Sequence, residues 1–213
     1  MDFPTPRMLP VNNIELEVFE AGQGGIPLVL AHGWPELAYS WRYQIQPLVD
    51  AGYHVIQRGY GASSKPRDVE AYDIHHLTDD HLGLLDVLGI EKAIYIGHDW
   101  GSIVLWQHAL LHPERMIGFA SLSVPLMVRQ PTEPVAFWEE MLGPDFYIVH
   151  FNRQANVAAK SFHSNPDRFL RNMFRTEQWL DRSDAKEPSG RAIIDYAEME
   201  VTEGRLMMSE AEL

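Results

Sequence analysis

The chain has 213 residues, which is enough for one substantial hydrophobic core or for one domain that carries an insertion. Its 17 basic and 30 acidic residues give a formal net charge of −13, which argues against nucleic acid and anionic membranes as partners and favours a neutral or cationic ligand. The sequence contains no cysteine, so disulfides and thiol catalysis are excluded.

The first ten residues, MDFPTPRMLP, contain no long apolar run. Neither a signal peptide nor a membrane anchor is visible there, so the expected location is the cytoplasm.

Strand and helix patterns alternate through the first 125 residues. Residues 11–19 alternate between apolar and polar side chains and predict a half-buried strand, whereas the apolar run at 26–30 is typical of a strand covered on both faces. The same patterns then predict a helix with Trp41, Ile45, Leu48 and Val49 on one face, a strand at 53–56, a helix over 74–88, a strand at 92–96, a helix over 100–111 and a strand at 116–122. This alternation predicts an α/β fold with a mostly parallel, doubly wound sheet.

The alternation stops after Pro125, and residues 126–213 have the pattern of helices and loops. One apolar helical stripe is formed by Phe169, Leu170, Met173 and Phe174, and residues 184–190 predict an exposed loop. The predicted organisation is a core over 1–125 and a partial helical lid over 126–213, because no linker separates the two parts.

The motif Gly97-His98-Asp99-Trp100-Gly101 follows the strand at 92–96 directly. A strand that ends in Gly-x-X-x-Gly and continues as a helix is a nucleophile elbow, whose central residue is usually serine. Here that residue is Asp99. A carboxylate is poorly suited to acyl transfer, because attack on an ester would give an anhydride, but it suits displacement at a saturated carbon. Such an attack leaves an alkyl ester on Asp99.

Hydrolysis of that ester creates an oxyanion, which needs hydrogen-bond donors. The backbone N–H of the residue after the nucleophile, Trp100, is one expected donor. The backbone N–H of Trp34 is the second, because the loop His32-Gly33-Trp34-Pro35-Glu36 follows the strand at 26–30. Ligands of open α/β sheets bind where such loops meet, at the carboxyl ends of neighbouring strands.

The segments HGWPE, RGYGASSKP, GHDWG and SLSVP, followed by a helical segment, together resemble the epoxide hydrolase branch of the α/β-hydrolase superfamily. The resemblance covers nearly the whole chain. It implies an α/β-hydrolase fold with a helical lid inserted after the sixth strand. It also implies the cofactor-free hydrolysis of a small apolar epoxide by water, which gives a vicinal diol.

The same resemblance assigns roles to individual residues. Tyr147, in the segment DFYIVHF, matches the lid tyrosine that donates a proton or a hydrogen bond to the epoxide oxygen. Trp34, Trp100 and Tyr147 are expected to contact the substrate. His32, Pro35 and His98 are expected to support the two loops.

Several alternatives stay open. Haloalkane dehalogenases also carry Asp in the elbow, but their HGxP motif usually has Asn where this chain has Trp34, so epoxide hydrolysis is favoured. A truncated homologue that binds without turnover is a further alternative, and so is homo-oligomer formation. Tyr147 also fits simple packing in an aromatic helix. His75, His76, Asp79 and Asp80 have metal-compatible spacing, but solvated helix surface is favoured and no metal is expected.

Two departures from the family pattern stand out. In the family, a three-residue turn of a small residue, Pro and Asp separates the strand from the Arg-Gly-Tyr-Gly loop. Here Val55-Ile56 continues directly into Gln57-Arg58-Gly59. Either the chain has a true deletion at this point, or residues are absent from the sequence. The chain ends at Leu213, in a stretch that resembles the middle of the lid. The second lid tyrosine, the charge-relay acid and the water-activating histidine are therefore expected beyond Leu213, in a longer functional protein.

Overall fold

The computed structural model describes residues 3–58, 60–129, 131–175, 191–200, 204–210 and 212. The chain divides into two compact units, Met1–Met127 and Val128–Leu213. The assignment of 1–125 as a catalytic core and of 126–213 as a lid stays a prediction, because compactness alone does not give either unit a role.

A six-stranded sheet forms the first unit. Its strands are β1 (Arg7–Val11), β2 (Ile14–Ala21), β3 (Ile26–Ala31), β4 (Tyr53–Arg58), β5 (Ala93–His98) and β6 (Met116–Leu122), in the spatial order β1-β2-β4-β3-β5-β6. β3 pairs in parallel with β4 and β5, and β5 pairs in parallel with β6, whereas β1, β2 and β4 pair antiparallel. The predicted α/β class and the mostly parallel sheet are confirmed.

The N-terminal hairpin differs from the sequence prediction. The single strand expected over 11–19 is replaced by β1 and β2, which are joined by a turn at Asn12 and Asn13. Asn12 has φ of 52°, a left-handed conformation that asparagine tolerates better than most residues. The apolar positions shift from odd to even numbers across Asn12 and Asn13, a break in the alternation that marks the turn and that the prediction of one strand overlooked.

Three helices cover the two faces of the sheet. They are α1 (Arg42–Asp50), α2 (Ile74–Val87) and α3 (Trp100–Leu111). Leu84 and Leu85 of α2 and Leu105 of α3 are fully buried in one apolar cluster, and Trp41 belongs to a second cluster that includes Leu30. Each fully buried leucine contributes about 2 to 3 kcal/mol through the hydrophobic effect. Helices on both faces make the sheet doubly wound, as predicted.

β4 is paired up to its last residue, Arg58. Arg58 pairs with Val18 on one side and with Ala31 on the other, so Gln57 lies inside the strand. The side chain of Gln57 is fully buried. The sheet therefore accommodates the short junction without the small-Pro-Asp turn of the family pattern.

The second unit is helical among its described residues. Its helices are α4 (Pro134–Leu142), α5 (Tyr147–Arg153), α6 (Ala155–Ser164), α7 (Pro166–Met173) and α8 (Arg191–Glu198). An isolated bridge joins Arg175 and Leu206, and the loop predicted at 184–190 lies outside the described residues. Within the part of the chain that the structure describes, no helix is long and apolar enough to cross a membrane.

Polar rings from α2, α3 and β5 are packed together in the core. The ring of His108 is fully buried, with centroid distances of 4.9 Å to Tyr95, 5.7 Å to His81 and 5.4 Å to His112. Burial lowers the pKa of His108 from 6.5 to about 4, and the nearby His112 makes a smaller contribution in the same direction. His108 is therefore neutral in the folded protein at neutral pH.

This lowered pKa predicts acid sensitivity. The unfolded chain takes up a proton at His108 near pH 6.5, whereas the folded protein does so only near pH 4. The free energy of unfolding should therefore be largest above pH 6.5 and fall between pH 6.5 and 4, by about 1.4 kcal/mol per pH unit from this group. Urea denaturation at pH 7 and pH 5 measures the difference. His108→Phe should reduce this difference in the free energy of unfolding, and His75→Phe, at an exposed position, should not. Equal differences between pH 7 and pH 5 in both variants would contradict the assignment.

Candidate active site

The chain turns sharply between β5 and α3, and Asp99 occupies the turn. Its φ of 52° and ψ of −122° lie in a region that is unfavourable for a non-glycine residue, at a cost of about 1 to 3 kcal/mol. The backbone N–H of Asp99 donates to the carbonyl oxygen of Leu122 at 3.4 Å. The strained conformation lies at the carboxyl end of the sheet, where ligands bind in this class of fold.

Glycines on both sides make this turn sterically accessible. A Cβ atom added at Gly97 would lie 2.7 Å from the backbone nitrogen of Ser102. One added at Gly101 would overlap the carbonyl oxygen of Ala31. The Gly-x-Asp-x-Gly spacing therefore reflects the close packing of α3 against the ends of β3 and β5.

The loop after β3 reaches the Asp99 carboxylate. The backbone N–H of Trp34 donates to Asp99 Oδ1 at 2.9 Å. A Cβ atom at Gly33 would lie 2.5 Å from that same Oδ1, so only glycine allows the loop to approach this closely. The peptide bond between Trp34 and Pro35 is cis. One carboxylate oxygen is thus engaged by the predicted oxyanion donor.

Trp100 is the first residue of α3, directly after Asp99. The first backbone N–H groups of a helix have no partner within the helix, and the positive end of the helix dipole favours negative charge. The 12-residue helix therefore presents its N-terminus beside the Asp99 carboxylate. The indole side chain of Trp100 is 38% exposed, so it is not a residue of the apolar core.

A carboxylate that the sequence patterns did not single out links the two loops. Glu36 Oε2 accepts a hydrogen bond from the backbone N–H of Gly33 at 3.2 Å and lies 2.7 Å from His98 Nδ1. Both side chains are partly buried, His98 at 35% and Glu36 at 19% exposure. The only sequence signal for Glu36 was its place at the end of HGWPE. Its contacts bridge the loop after β3 and the end of β5.

The remaining predicted residues have separate surroundings. His32 Nδ1 lies 2.9 Å from the carbonyl oxygen of Gly33, and the His32 ring packs edge-on against Tyr60. Tyr147 begins α5 in the second unit, where its ring packs against Phe146 and Phe151 at centroid distances of 4.9 and 5.7 Å. The roles of His32 as loop support and of Tyr147 as the acid stay predictions.

One surface assignment on α2 is wrong. His75, His76 and Asp79 are exposed, as expected for solvated helix, but Asp80 is buried. Asp80 Oδ1 accepts a hydrogen bond from Asn12 Nδ2 at 3.1 Å, because this face of α2 packs against the β1–β2 hairpin. The described residues contain no group of three or more histidine, aspartate or glutamate side chains that could hold a metal ion.

The packing at Gly101 predicts a large effect from one methyl group. Gly101→Ala forces the first turn of α3 away from Ala31, and we expect the free energy of unfolding to fall by about 2 kcal/mol or more. Gly118→Ala in β6 is the matched control, because a Cβ atom there would have no heavy atom within 4 Å. Chemical denaturation compares the two variants. Equal losses of stability would show that α3 does not pack against β3 as described.

Comparison with known proteins supports the interpretation of these motifs. A profile of the family described as alpha/beta hydrolase fold matches residues 26–212. Epoxide hydrolase A of Mycobacterium tuberculosis is 47% identical over 177 residues, which cover 81% of this chain and 55% of that protein. Bifunctional epoxide hydrolase 2 of Sus scrofa is 37% identical over 185 residues, which cover 83% of this chain and 32% of that protein.

Solved structures of epoxide hydrolases are also similar to this chain. Epoxide hydrolase A from Mycobacterium thermoresistibile superimposes with a TM-score of 0.85 and 41% identity, covering 98% of this chain and 67% of that one. Epoxide hydrolase VrEH1 from Vigna radiata gives a TM-score of 0.75 and 29% identity, covering 91% of this chain and 71% of that one. The chain thus spans 55% of the length of the curated mycobacterial relative.

Proposed function

The chain belongs to the epoxide hydrolase branch of the α/β-hydrolase superfamily, and from that membership we propose that its protein opens epoxides to vicinal diols through an ester on Asp99. The observation that carries the proposal is the hydrogen bond from the Trp34 N–H to Asp99 Oδ1, on a strained elbow. An aspartate at this place of the fold suits displacement at carbon rather than acyl transfer.

Ring opening follows from the two unequal oxygens of Asp99. Oδ1 accepts from the Trp34 N–H, which leaves Oδ2 as the attacking atom. Oδ2 forms a bond to an epoxide carbon while that carbon's bond to the ring oxygen breaks, and the electron pair moves to the ring oxygen. Tyr147 is proposed to donate the proton that this oxygen needs. The product is a hydroxyalkyl ester of Asp99.

Hydrolysis of the ester completes the cycle. Water adds to the carboxyl carbon of Asp99, and negative charge develops on Oδ1, which is already within hydrogen-bond distance of the Trp34 N–H. The Trp100 N–H at the start of α3 is proposed as the second donor. Collapse of this intermediate breaks the bond from the carboxyl carbon to Oδ2 and releases the diol. A general base must take a proton from the water and return one to the departing oxygen, a role that the family resemblance assigns to a histidine.

Epoxides are proposed as substrates in preference to haloalkanes. A departing halide needs side-chain N–H donors such as an asparagine amide, and this chain has Trp34 at the corresponding place of HGWPE. A small apolar epoxide and water are the proposed reactants, with no cofactor and in the cytoplasm. The similarity to the mycobacterial and Sus scrofa epoxide hydrolases described above supports this substrate class.

The nucleophile assignment predicts a covalent adduct on Asp99. Incubation with styrene oxide should raise the mass of the peptide that contains Asp99 by one molecule of epoxide, because ester formation does not need the water-activating base. Peptide mass spectrometry locates the adduct. Asp99→Asn should remove it, since an amide is a poor nucleophile. An adduct on a different residue, or retained ester formation in Asp99→Asn, would contradict the assignment, and a non-catalytic binder would give no mass increase.

Leaving-group preference separates the two enzyme classes. With equal concentrations of styrene oxide and 1,2-dibromoethane, we expect alkylation of Asp99 by the epoxide to be at least about tenfold faster, a difference of roughly 1.4 kcal/mol in activation free energy. Mass spectrometry of the Asp99 peptide at timed intervals gives both rates. Bromide release that rivals epoxide opening would assign the protein to the dehalogenases instead.

A further inference from the structure

We propose that the first unit binds a small organic ammonium ion with an apolar body, at a cavity of about 1060 Å³ beside the elbow helix. This cavity, called here the α2 cavity, is bordered by α2, by the loop at 60–66, by the β1–β2 turn and by the first turn of α3. The volume is in the range of, or slightly above, that of small-molecule sites. The inference does not depend on the proposed epoxide chemistry.

The α2 cavity is distinct from the immediate surroundings of the nucleophile. Trp100, Gly101 and His32 form part of its wall. Asp99 itself is not part of the wall of the cavity. The wall and the elbow therefore share the first turn of α3, but the Asp99 carboxylate points elsewhere, toward the Trp34 N–H. A molecule bound in the α2 cavity is accordingly a second ligand, distinct from the substrate that Asp99 attacks.

The lining suits an apolar body. Leu16, Leu77 and Leu82 supply aliphatic surface. Three aromatic side chains also line the cavity and keep much of their surface exposed, Tyr60 at 49%, Tyr72 at 48% and Trp100 at 38%. Aromatic faces attract organic cations, by about 0.5 to 2 kcal/mol for each good contact. Ring surface grouped in one concavity is thus matched to a quaternary or protonated amine.

The charges of the lining favour the same ligand. Asp79, Asp80 and Asp86 all line the cavity, together with the basic side chains of Lys65 and His76. Lys65 Nζ donates to the backbone carbonyls of Gly61 at 2.7 Å and Ser63 at 3.0 Å, which holds the ammonium within its own loop. Asp86 pairs at 2.6 Å with Arg115, which lies outside the cavity lining, and Asp79 Oδ1 lies 3.9 Å from His112 Nε2. Asp80 accepts a hydrogen bond from the Asn12 amide. The lining therefore contains three carboxylates and one lysine, which leaves an excess of negative charge.

The loop that borders the cavity is fixed to the N-terminal hairpin. The Ser64 N–H donates to the carbonyl oxygen of Glu15 at 2.8 Å, and the Ser63 hydroxyl accepts a hydrogen bond from the Glu17 N–H at 2.9 Å. These contacts hold the loop wall of the α2 cavity against β2.

Benzyltrimethylammonium is the probe for this site. With protein labelled with ¹⁵N in tryptophan, the indole N–H signal of Trp100, assigned with Trp100→Phe, should shift saturably with a Kd of about 1 mM or tighter. Benzenesulfonate, an anion of similar size, should shift it at least about tenfold less at equal concentration, because the lining carries excess negative charge. No saturable shift with the ammonium, or equal shifts with the sulfonate, would overturn the proposal.

Matched variants separate cavity binding from surface binding. Ala71→Trp fills the cavity from its wall and should weaken ammonium binding by about tenfold or more, whereas Val69→Trp, an exposed position in the same helical turn that does not line the cavity, should leave it within about twofold. Asp79→Asn should weaken binding by about two- to fivefold, and Asp68→Asn, exposed and outside the lining, should not. Circular dichroism checks that each variant is folded. Unchanged binding in Ala71→Trp would place the ammonium outside the cavity.

Discussion

The hydrogen bond from the Trp34 N–H to Asp99 Oδ1 is the interaction on which the arrangement of the elbow depends. It requires two chain segments to approach more closely than side chains normally permit, and glycine at 33, 97 and 101 removes the atoms that would prevent this. It also makes the two oxygens of Asp99 unequal, which defines the direction of the proposed attack. The left-handed backbone of Asp99 is the conformational cost of presenting the carboxylate at this point.

The surroundings of this hydrogen bond explain how the strained turn is maintained. Parallel pairing of β3 with β5 brings the two loops to the same edge of the sheet, and α3 begins within one residue of Asp99. Glu36 then ties the backbone of Gly33 to His98, so the loop after β3 is attached to the end of β5 by a side chain as well as by the sheet. Local strain can persist at a site when such contacts over-determine the conformation.

Strands β3 to β6, the helices of the first unit and the elbow could be predicted from sequence because each depends on a short local pattern: apolar runs, helical spacing, and glycines at fixed offsets. What local patterns could not give are contacts between distant segments. The burial of Asp80 depends on Asn12, which is 68 residues away, and the bridge from Glu36 to His98 spans 62 residues. The β1–β2 hairpin was missed for a different reason, since its local signal, the two consecutive polar residues Asn12 and Asn13 that shift the apolar alternation, was overlooked. The α2 cavity likewise arises from segments that only the fold brings together.

Hydrogen exchange at one backbone amide tests the central claim most directly. If the Trp34 N–H donates to Asp99 Oδ1, its exchange with solvent, followed by NMR in ¹⁵N-labelled protein, should be slow and should accelerate by about tenfold or more in Asp99→Ala, which removes the acceptor. The amide of Leu30, inside the fully buried part of β3, should keep its protection in the same variant. Unchanged exchange at Trp34 in Asp99→Ala would show that this N–H is not engaged by the carboxylate, and the account of the elbow would then fail.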